Sequence, residues 1–213
     1  MIDLDIRPGD ALVIVDPQND FCPGGALAVD GGDEIMAAIG NLAARFPLVV
    51  VTQDWHPRGH KSFASNHQGG VAFGTAEMPY GAQVLWPDHC VQGTAGADFH
   101  PGLAAALDRA DLILRKGTNP AVDSYSAFYE NDRSTATGLA GYLRDKKVSR
   151  CVFVGLAYDF CVAYSALDAV REGFASVIAK DLTRAIAMPA GDGGGTTVDA
   201  AERQFAEAGV AIL

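Results

Sequence analysis

Residues 152–162 read Val152-Phe-Val-Gly-Leu-Ala-Tyr-Asp-Phe-Cys161-Val. The run of apolar and β-branched residues that ends in Gly155 and Ala157 predicts a buried strand. The residues after Cys161, Val-Ala-Tyr-Ser-Ala-Leu-Asp-Ala-Val-Arg-Glu, predict a helix that stops at Gly173. Cys161 therefore stands where a strand turns into a helix. N–H groups at a helix start are unpaired and carry partial positive charge. A thiol placed there is expected to ionise more readily, and the same N–H groups can hold an oxyanion formed beside the sulfur. A lone cysteine in such a place is more often a buried packing residue. This one has company, because a lysine and an aspartate occupy equivalent strand ends elsewhere in the chain.

Working outward, the same alternation recurs. Strands are predicted at residues 11–16 (Ala-Leu-Val-Ile-Val-Asp), 48–54 (Leu-Val-Val-Val-Thr-Gln-Asp), 111–116, 151–157, 175–181 and 210–213. Helices are predicted at 33–46, with Asp33 as its cap, at 100–110, at 135–146 and at 196–208. Residues 55–99, rich in Gly, Pro, His and aromatics, form one long irregular stretch, and loops of that length are usually functional. Apolar strands alternating with helices predict a three-layer α/β/α architecture around a six-stranded, mainly parallel, Rossmann-like sheet. No repeat or linker interrupts the pattern, so residues 1–213 are expected to form a single domain. In such sheets the ligand crevice lies at the carboxyl ends of the strands, where strand order reverses. Asp16, Asp54, Lys116 and the segment leading to Cys161 all fall on that rim.

Composition narrows the function classes. The 213 residues include 26 acidic and 16 basic side chains, for a net charge of −10. That balance opposes binding to nucleic acid or to an anionic membrane. The N-terminus shows no basic, apolar export signal, and no apolar run reaches membrane-spanning length. The four cysteines show no CxxC spacing, which fits free thiols in a cytoplasmic, reducing setting. Homo-oligomerisation stays open, and the expected partner is a small-molecule substrate.

The rim residues suggest nucleophilic chemistry. Cys161 needs a partner that takes its proton and returns it to a leaving group, and Asp16 can serve. Alone, an Asp before Pro17 reads as a turn residue and a strand-end lysine as a solvated charge. Set together, Lys116 would steady both the carboxylate and a thiolate. No GxSxG elbow is present, which argues against a serine hydrolase.

A second motif, Gln53-Asp54-Trp55-His56-Pro-Arg-Gly-His60, pairs with Trp86-Pro-Asp-His89-Cys90. A carboxylate and an imidazole two residues apart on an extended segment project to the same side. With a third ligand they suit one divalent ion, zinc, iron or manganese, and Asp54, His56 and His89 are the expected set. His60 is a fourth candidate, or a group behind the ligands; His67 and His100 read as ordinary. Phe21, Trp86 and Tyr125, with Tyr158 as a further candidate, are expected to line an apolar slot. The run Gly191-Asp-Gly-Gly-Gly195 lacks the GK[ST] of a phosphate loop and reads as a turn.

These motifs resemble the nicotinamidases (pyrazinamidases) of the isochorismatase-like cysteine hydrolase superfamily. The matching segments run in family order: 15–27, Gln53-Asp54-Trp-His56-Pro, Trp86-Pro-Asp-His89-Cys, Arg115-Lys116-Gly, Asp123-Ser-Tyr125-Ser-Ala-Phe and Gly155-Leu-Ala-Tyr-Asp-Phe-Cys161-Val. The resemblance implies an isochorismatase-like hydrolase fold and Asp16, Lys116 and Cys161 as a triad. It further implies a metal on Asp54, His56 and His89, and a nicotinamide ring held among Phe21, Trp86 and Tyr125 with its nitrogen facing the ion. A cis peptide joining Leu156 to Ala157 is implied as well, with the N–H groups of Ala157 and Cys161 facing the oxyanion. Tyr158 departs from the family's usual Thr. The implied reaction is hydrolysis of nicotinamide to nicotinate and ammonia through a thioester, with pyrazinamide as a further substrate. The rivals are an amidohydrolase of ureido or carbamoyl substrates, a metallohydrolase that attacks with hydroxide, and a non-catalytic binding protein.

Overall fold

A computed structural model describes residues 4–189 and 194–213. Residues 191–193 of the glycine-rich run lie outside the described set. Strands are β1 (Asp10–Val15), β2 (Leu48–Asp54), β3 (Thr75–Met78), β4 (Gly81–Val84), β5 (Leu112–Lys116), β6 (Arg150–Leu156), β7 (Ala175–Arg184) and β8 (Ala211–Ile212). Helices are α1 (Met36–Ala43), α2 (Ala104–Arg109), α3 (Leu139–Asp145), α4 (Ala163–Arg171) and α5 (Thr197–Ala208). Six strands form one sheet in the order β5-β2-β1-β6-β7-β8, and every pairing is parallel. Residues Ala11 to Val15 have no exposure at all, as a central strand covered on both faces requires. No helix among the described residues is long and apolar enough to cross a membrane.

The order of the strands places the crevice. From β1 the chain moves outward through β2 to β5, then returns to the other flank of β1 as β6. Strand order therefore reverses between β1 and β6, and ligands bind at the carboxyl ends of such a pair. Val15 pairs with Gly155 there, so Asp16 and the cysteine segment leave the sheet side by side. A side chain at Gly155 would put its Cβ 2.2 Å from the Val15 carbonyl oxygen, and the residue's φ is +106°. Only glycine lets these two strand ends approach so closely.

Local chemistry trims the predicted elements. The first helix starts at Met36, whose N–H bonds the Asp33 carbonyl; no side chain caps it, so Asp33 is not the cap expected from sequence. Residues 135–138 are not helical: Thr135 is bonded to Asp132, and Gly138 takes a left-handed φ of +95° before α3 begins. The long stretch 55–99 is not structureless, because β3 and β4 form a two-stranded antiparallel ribbon inside it. Its strands are only four residues each and largely exposed, too short for a clear alternation to register in the sequence.

Candidate active site

Four strand ends converge on the Lys116 ammonium. Asp54 and Lys116 are register partners on β2 and β5, so they leave the sheet as neighbours. Nζ of Lys116 lies 2.6 Å from Asp54 Oδ1, 2.8 Å from Asp16 Oδ2 and 3.4 Å from Cys161 Sγ, and donates to the Ser124 carbonyl at 2.9 Å. All four side chains are buried. Burial works against the charge on Lys116, but Asp16 and Asp54 outweigh it and hold the ammonium well above its ordinary pKa.

Asp16 is positioned by its backbone and by Thr52. Its φ of +45° is left-handed, an uncommon conformation outside glycine and one that turns the chain sharply before Pro17. Thr52 Oγ1 accepts from the Asp16 N–H at 3.1 Å and donates to Asp16 Oδ1 at 2.6 Å. Burial raises the Asp16 carboxyl above its ordinary pKa; Lys116 lowers it and the Asp54 charge raises it further. Sequence reading missed Thr52, which looks like one more β-branched strand residue.

The sequence placed Cys161 at a helix start with an easily ionised thiol. The structure places it in a π-helical turn, Tyr158–Val162, that precedes α4, with the Val162 N–H bonded to the Ala157 carbonyl. Such turns are rare and concentrate at functional sites. Burial pushes the thiol well above its ordinary pKa; Lys116 opposes this, and Asp16 and Asp54 add to it. The shift runs opposite to the sequence expectation, because desolvation outweighs a single ammonium. The sulfur and one carboxylate oxygen each of Asp16 and Asp54 lie within 4.8 Å of one another. The Leu156–Ala157 peptide is cis.

Asp54 turns its other oxygen toward two imidazoles. Oδ2 lies 3.1 Å from His56 Nε2 and 3.6 Å from His89 Nε2. His56 Nδ1 sits 2.9 Å from the Gly117 carbonyl, and His89 Nδ1 sits 2.8 Å from the Pro87 carbonyl. A carbonyl only accepts, so each Nδ1 carries hydrogen and each Nε2 is left to face Asp54. A carboxylate oxygen and two imidazole nitrogens gathered this way fit a divalent cation. Burial works against the Asp54 charge, yet Lys116 and His56 hold its carboxyl well below the usual range. Gly117 allows the packing: a Cβ there would lie 2.4 Å from the His56 ring, and its φ is +67°.

His60 lies beside this trio, its ring centroid 4.3 Å from that of His56. His56, His60 and Asp123 also have nitrogen or carboxylate atoms within 4.8 Å of one another. Asp123 is a site residue to which the sequence gave no role. Its carboxylate accepts from the Ser124 N–H at 2.8 Å and from Gln83 Nε2 at 2.9 Å. Gln83 was overlooked because it sits in the unpredicted β4; it also donates to the Tyr125 hydroxyl at 2.8 Å.

Beside these groups lies a narrow slot lined by Phe21, Trp86, Tyr125, Phe160 and Ile186 together with Cys161 and His89. Trp86 Nε1 donates to the Tyr125 hydroxyl at 3.0 Å, which locks two of the rings together. Phe160, absent from the sequence reading, stands edge-on to both, 4.9 Å from Trp86 and 5.7 Å from Tyr125. Tyr158 is not a slot residue. Its ring packs on Phe205 at 5.7 Å, and its hydroxyl donates to Glu202 at 3.1 Å, so the π-helical turn aims it at α5.

Comparison with known proteins bears on this geometry. Residues 10–205 match the isochorismatase domain family. The chain belongs to that family. It is 53% identical over 178 residues to the nicotinamidase of Acinetobacter baylyi, covering 84% of this chain and 82% of the relative. Among solved structures, an Acinetobacter baumanii nicotinamidase/pyrazinamidase superposes with a TM-score of 0.91 at 47% identity, covering 97% and 96% of the two chains. PnC1 from L. infantum, solved in complex with nicotinate, gives 0.82 at 38% identity over 100% and 96%. A Pyrococcus horikoshii pyrazinamidase solved with zinc gives 0.72 at 32% identity over 97% and 99%.

Proposed function

We propose that the chain is a nicotinamidase, hydrolysing nicotinamide to nicotinate and ammonia, and pyrazinamide by the same route. The observation that carries this reading is the Lys116 ammonium. It joins a nucleophile and base (Cys161, Asp16) to a ligand trio (Asp54, His56, His89) at the foot of one aromatic slot. The family placement and the named relatives support the same substrate.

The planar pyridine ring enters between Phe21, Trp86 and Tyr125, with its carboxamide over Cys161. Asp16, made more basic by burial, takes the thiol proton as Sγ bonds to the carboxamide carbon. The N–H groups of Ala157 and Cys161 face the oxygen that becomes negative. Asp16 gives the proton to the departing nitrogen, the C–N bond breaks, and ammonia leaves a thioester. Water then attacks that carbon while Asp16 removes its proton. The C–S bond breaks, nicotinate departs, and the proton returns to the sulfur. Lys116 stays charged throughout and holds Asp16 in line. Asp54, His56 and His89 would hold one divalent ion, zinc, iron or manganese, which when bound supplies a Lewis-acid anchor for the ring nitrogen. The four unpaired cysteines fit a reducing cytoplasm, and nicotinate formation there belongs to NAD salvage.

The test is ammonia release from nicotinamide by the purified protein beside Cys161→Ala, both metal-supplemented. Turnover by the wild type with loss of at least about 10⁴-fold in the variant is expected. Equal turnover by both would move the chemistry away from the sulfur. Silence from the wild type, with activity on a ureido or carbamoyl compound, would transfer the chain to that substrate class.

A further inference from the structure

Asp159 stands two residues before Cys161, is buried, and has no part in the chemistry above. Its carboxylate accepts three hydrogen bonds. Oδ1 accepts from the Ile186 N–H at 3.0 Å, and Oδ2 accepts from the Ala187 N–H at 2.8 Å and from the Thr197 hydroxyl. Two successive backbone N–H groups thus converge on one carboxylate, an arrangement that suits an anion. Ala187 takes a left-handed φ of +56°, uncommon for a residue with a Cβ. Thr197 is the first residue of α5, so the carboxylate joins three separated pieces of chain. Ile186 and Cys161 both line the slot.

From this we infer that Asp159 is a positioning residue. It hangs the Ile186 wall from the turn that carries the nucleophile, and so sets which ring substituents the slot admits. The wall has no strand or helix of its own, since residues 185–188 follow β7 without regular structure. Its placement falls to these charge-assisted bonds and to one backbone bond, from the Thr197 N–H to the Met188 carbonyl at 2.8 Å. The inference rests on the nicotinamidase reading for its substrate, but the strap itself can be tested without one.

The experiment compares the wild type with Ile186→Ala, Asp159→Asn and the double variant. Thr197→Val, which deletes one of the three bonds, guards against an Asp159 variant that fails to fold. Steady-state hydrolysis of nicotinamide is measured beside that of a ring-methylated nicotinamide. Ile186→Ala is expected to shift kcat/KM toward the methylated ring by about tenfold, the usual worth of a methyl-sized change in an apolar pocket. The change should appear in KM more than in kcat. Asp159→Asn should reproduce the shift, Thr197→Val a smaller part of it, and the double variant should add nothing to Ile186→Ala. Independently of substrate, amide hydrogen exchange at Ile186 and Ala187 should quicken in Asp159→Asn and Thr197→Val. Unchanged exchange, or additive selectivity shifts, would overturn the proposal. Wild-type silence on nicotinamide with quickened exchange in the variants would overturn the substrate and leave the strap standing.

Discussion

Asp16 and Asp54 end adjacent strands, are both buried, and share one ammonium, yet their carboxyls are pushed in opposite directions. For Asp16, burial is the largest influence and Lys116 does not cancel it, so the acid form gains. For Asp54, burial is also large, but Lys116 together with the neighbouring His56 and His89 overturns it. The difference lies in what stands on the far side of each carboxylate. Asp16 faces a neutral hydroxyl and a neutral thiol; Asp54 faces two imidazoles. On the proposed reading, environment thus suits one carboxylate to accept and return a proton and favours the charged form of the other, as a cation ligand requires.

The sharpest way to break the comparison is Asp16→Asn. The amide keeps the shape and cannot take the thiol proton, so kcat should fall by about 10³- to 10⁴-fold. Metal content and nicotinate affinity, read by elemental analysis and calorimetry, should stay near wild type, because those depend on the Asp54 side. Loss of metal with Asp16→Asn would mean the two halves are not separable.

Asp54→Asn probes the other half and should act twice. Metal affinity, measured by chelator competition, should fall by more than about 100-fold, beyond the range seen for groups behind a ligand. The second effect is on pH. In the wild type, activity should fall as pH drops through the raised Asp16 pKa, above the ordinary carboxylate value of about 3.9. Removing the Asp54 charge removes an influence that raises Asp16 and leaves Lys116 to Asp16 alone. The acid limb of kcat/KM should therefore move to lower pH. A limb that stays in place would assign it to another group.

Much of this arrangement was legible in the sequence, and the parts that were not have common causes. The apolar runs of β1, β2 and β6 are long and fully buried, so their ends, and hence Asp16, Asp54 and the Cys161 segment, could be placed by counting. The pairing of His56 with Asp54 follows from spacing along an extended chain. That Lys116 would bridge both carboxylates does not, because it depends on β5 lying in register beside β2. Thr52, Gln83 and Phe160 were hidden for the same reason: each acts through a partner at least 36 residues away. Tyr158 was misplaced because nearness to Cys161 in sequence does not fix direction: in the π-helical turn its ring packs on Phe205 instead.

His60 offers the smallest and finest test, since sequence alone left it between ligand and bystander. The Ser62 N–H points at His60 Nδ1 at 3.2 Å, and a backbone N–H can only donate. Nδ1 is therefore an acceptor and Nε2 carries the hydrogen. Nε2 is buried and has no hydrogen-bond partner among the described residues. Burial, and next the neighbouring His56, lower the His60 pKa to about 4, so the ring is neutral at physiological pH. To ligate through Nε2 it would have to move its hydrogen to Nδ1 and lose the bond from the Ser62 N–H, whereas His56 and His89 already present their Nε2 atoms toward Asp54. His60 should therefore act from behind the ligands. His60→Gln is expected to weaken metal binding about tenfold, within the range for such groups, while His89→Gln exceeds that range. Equal losses in the two variants would make His60 a fourth ligand and extend the Asp54 side of the site by one imidazole.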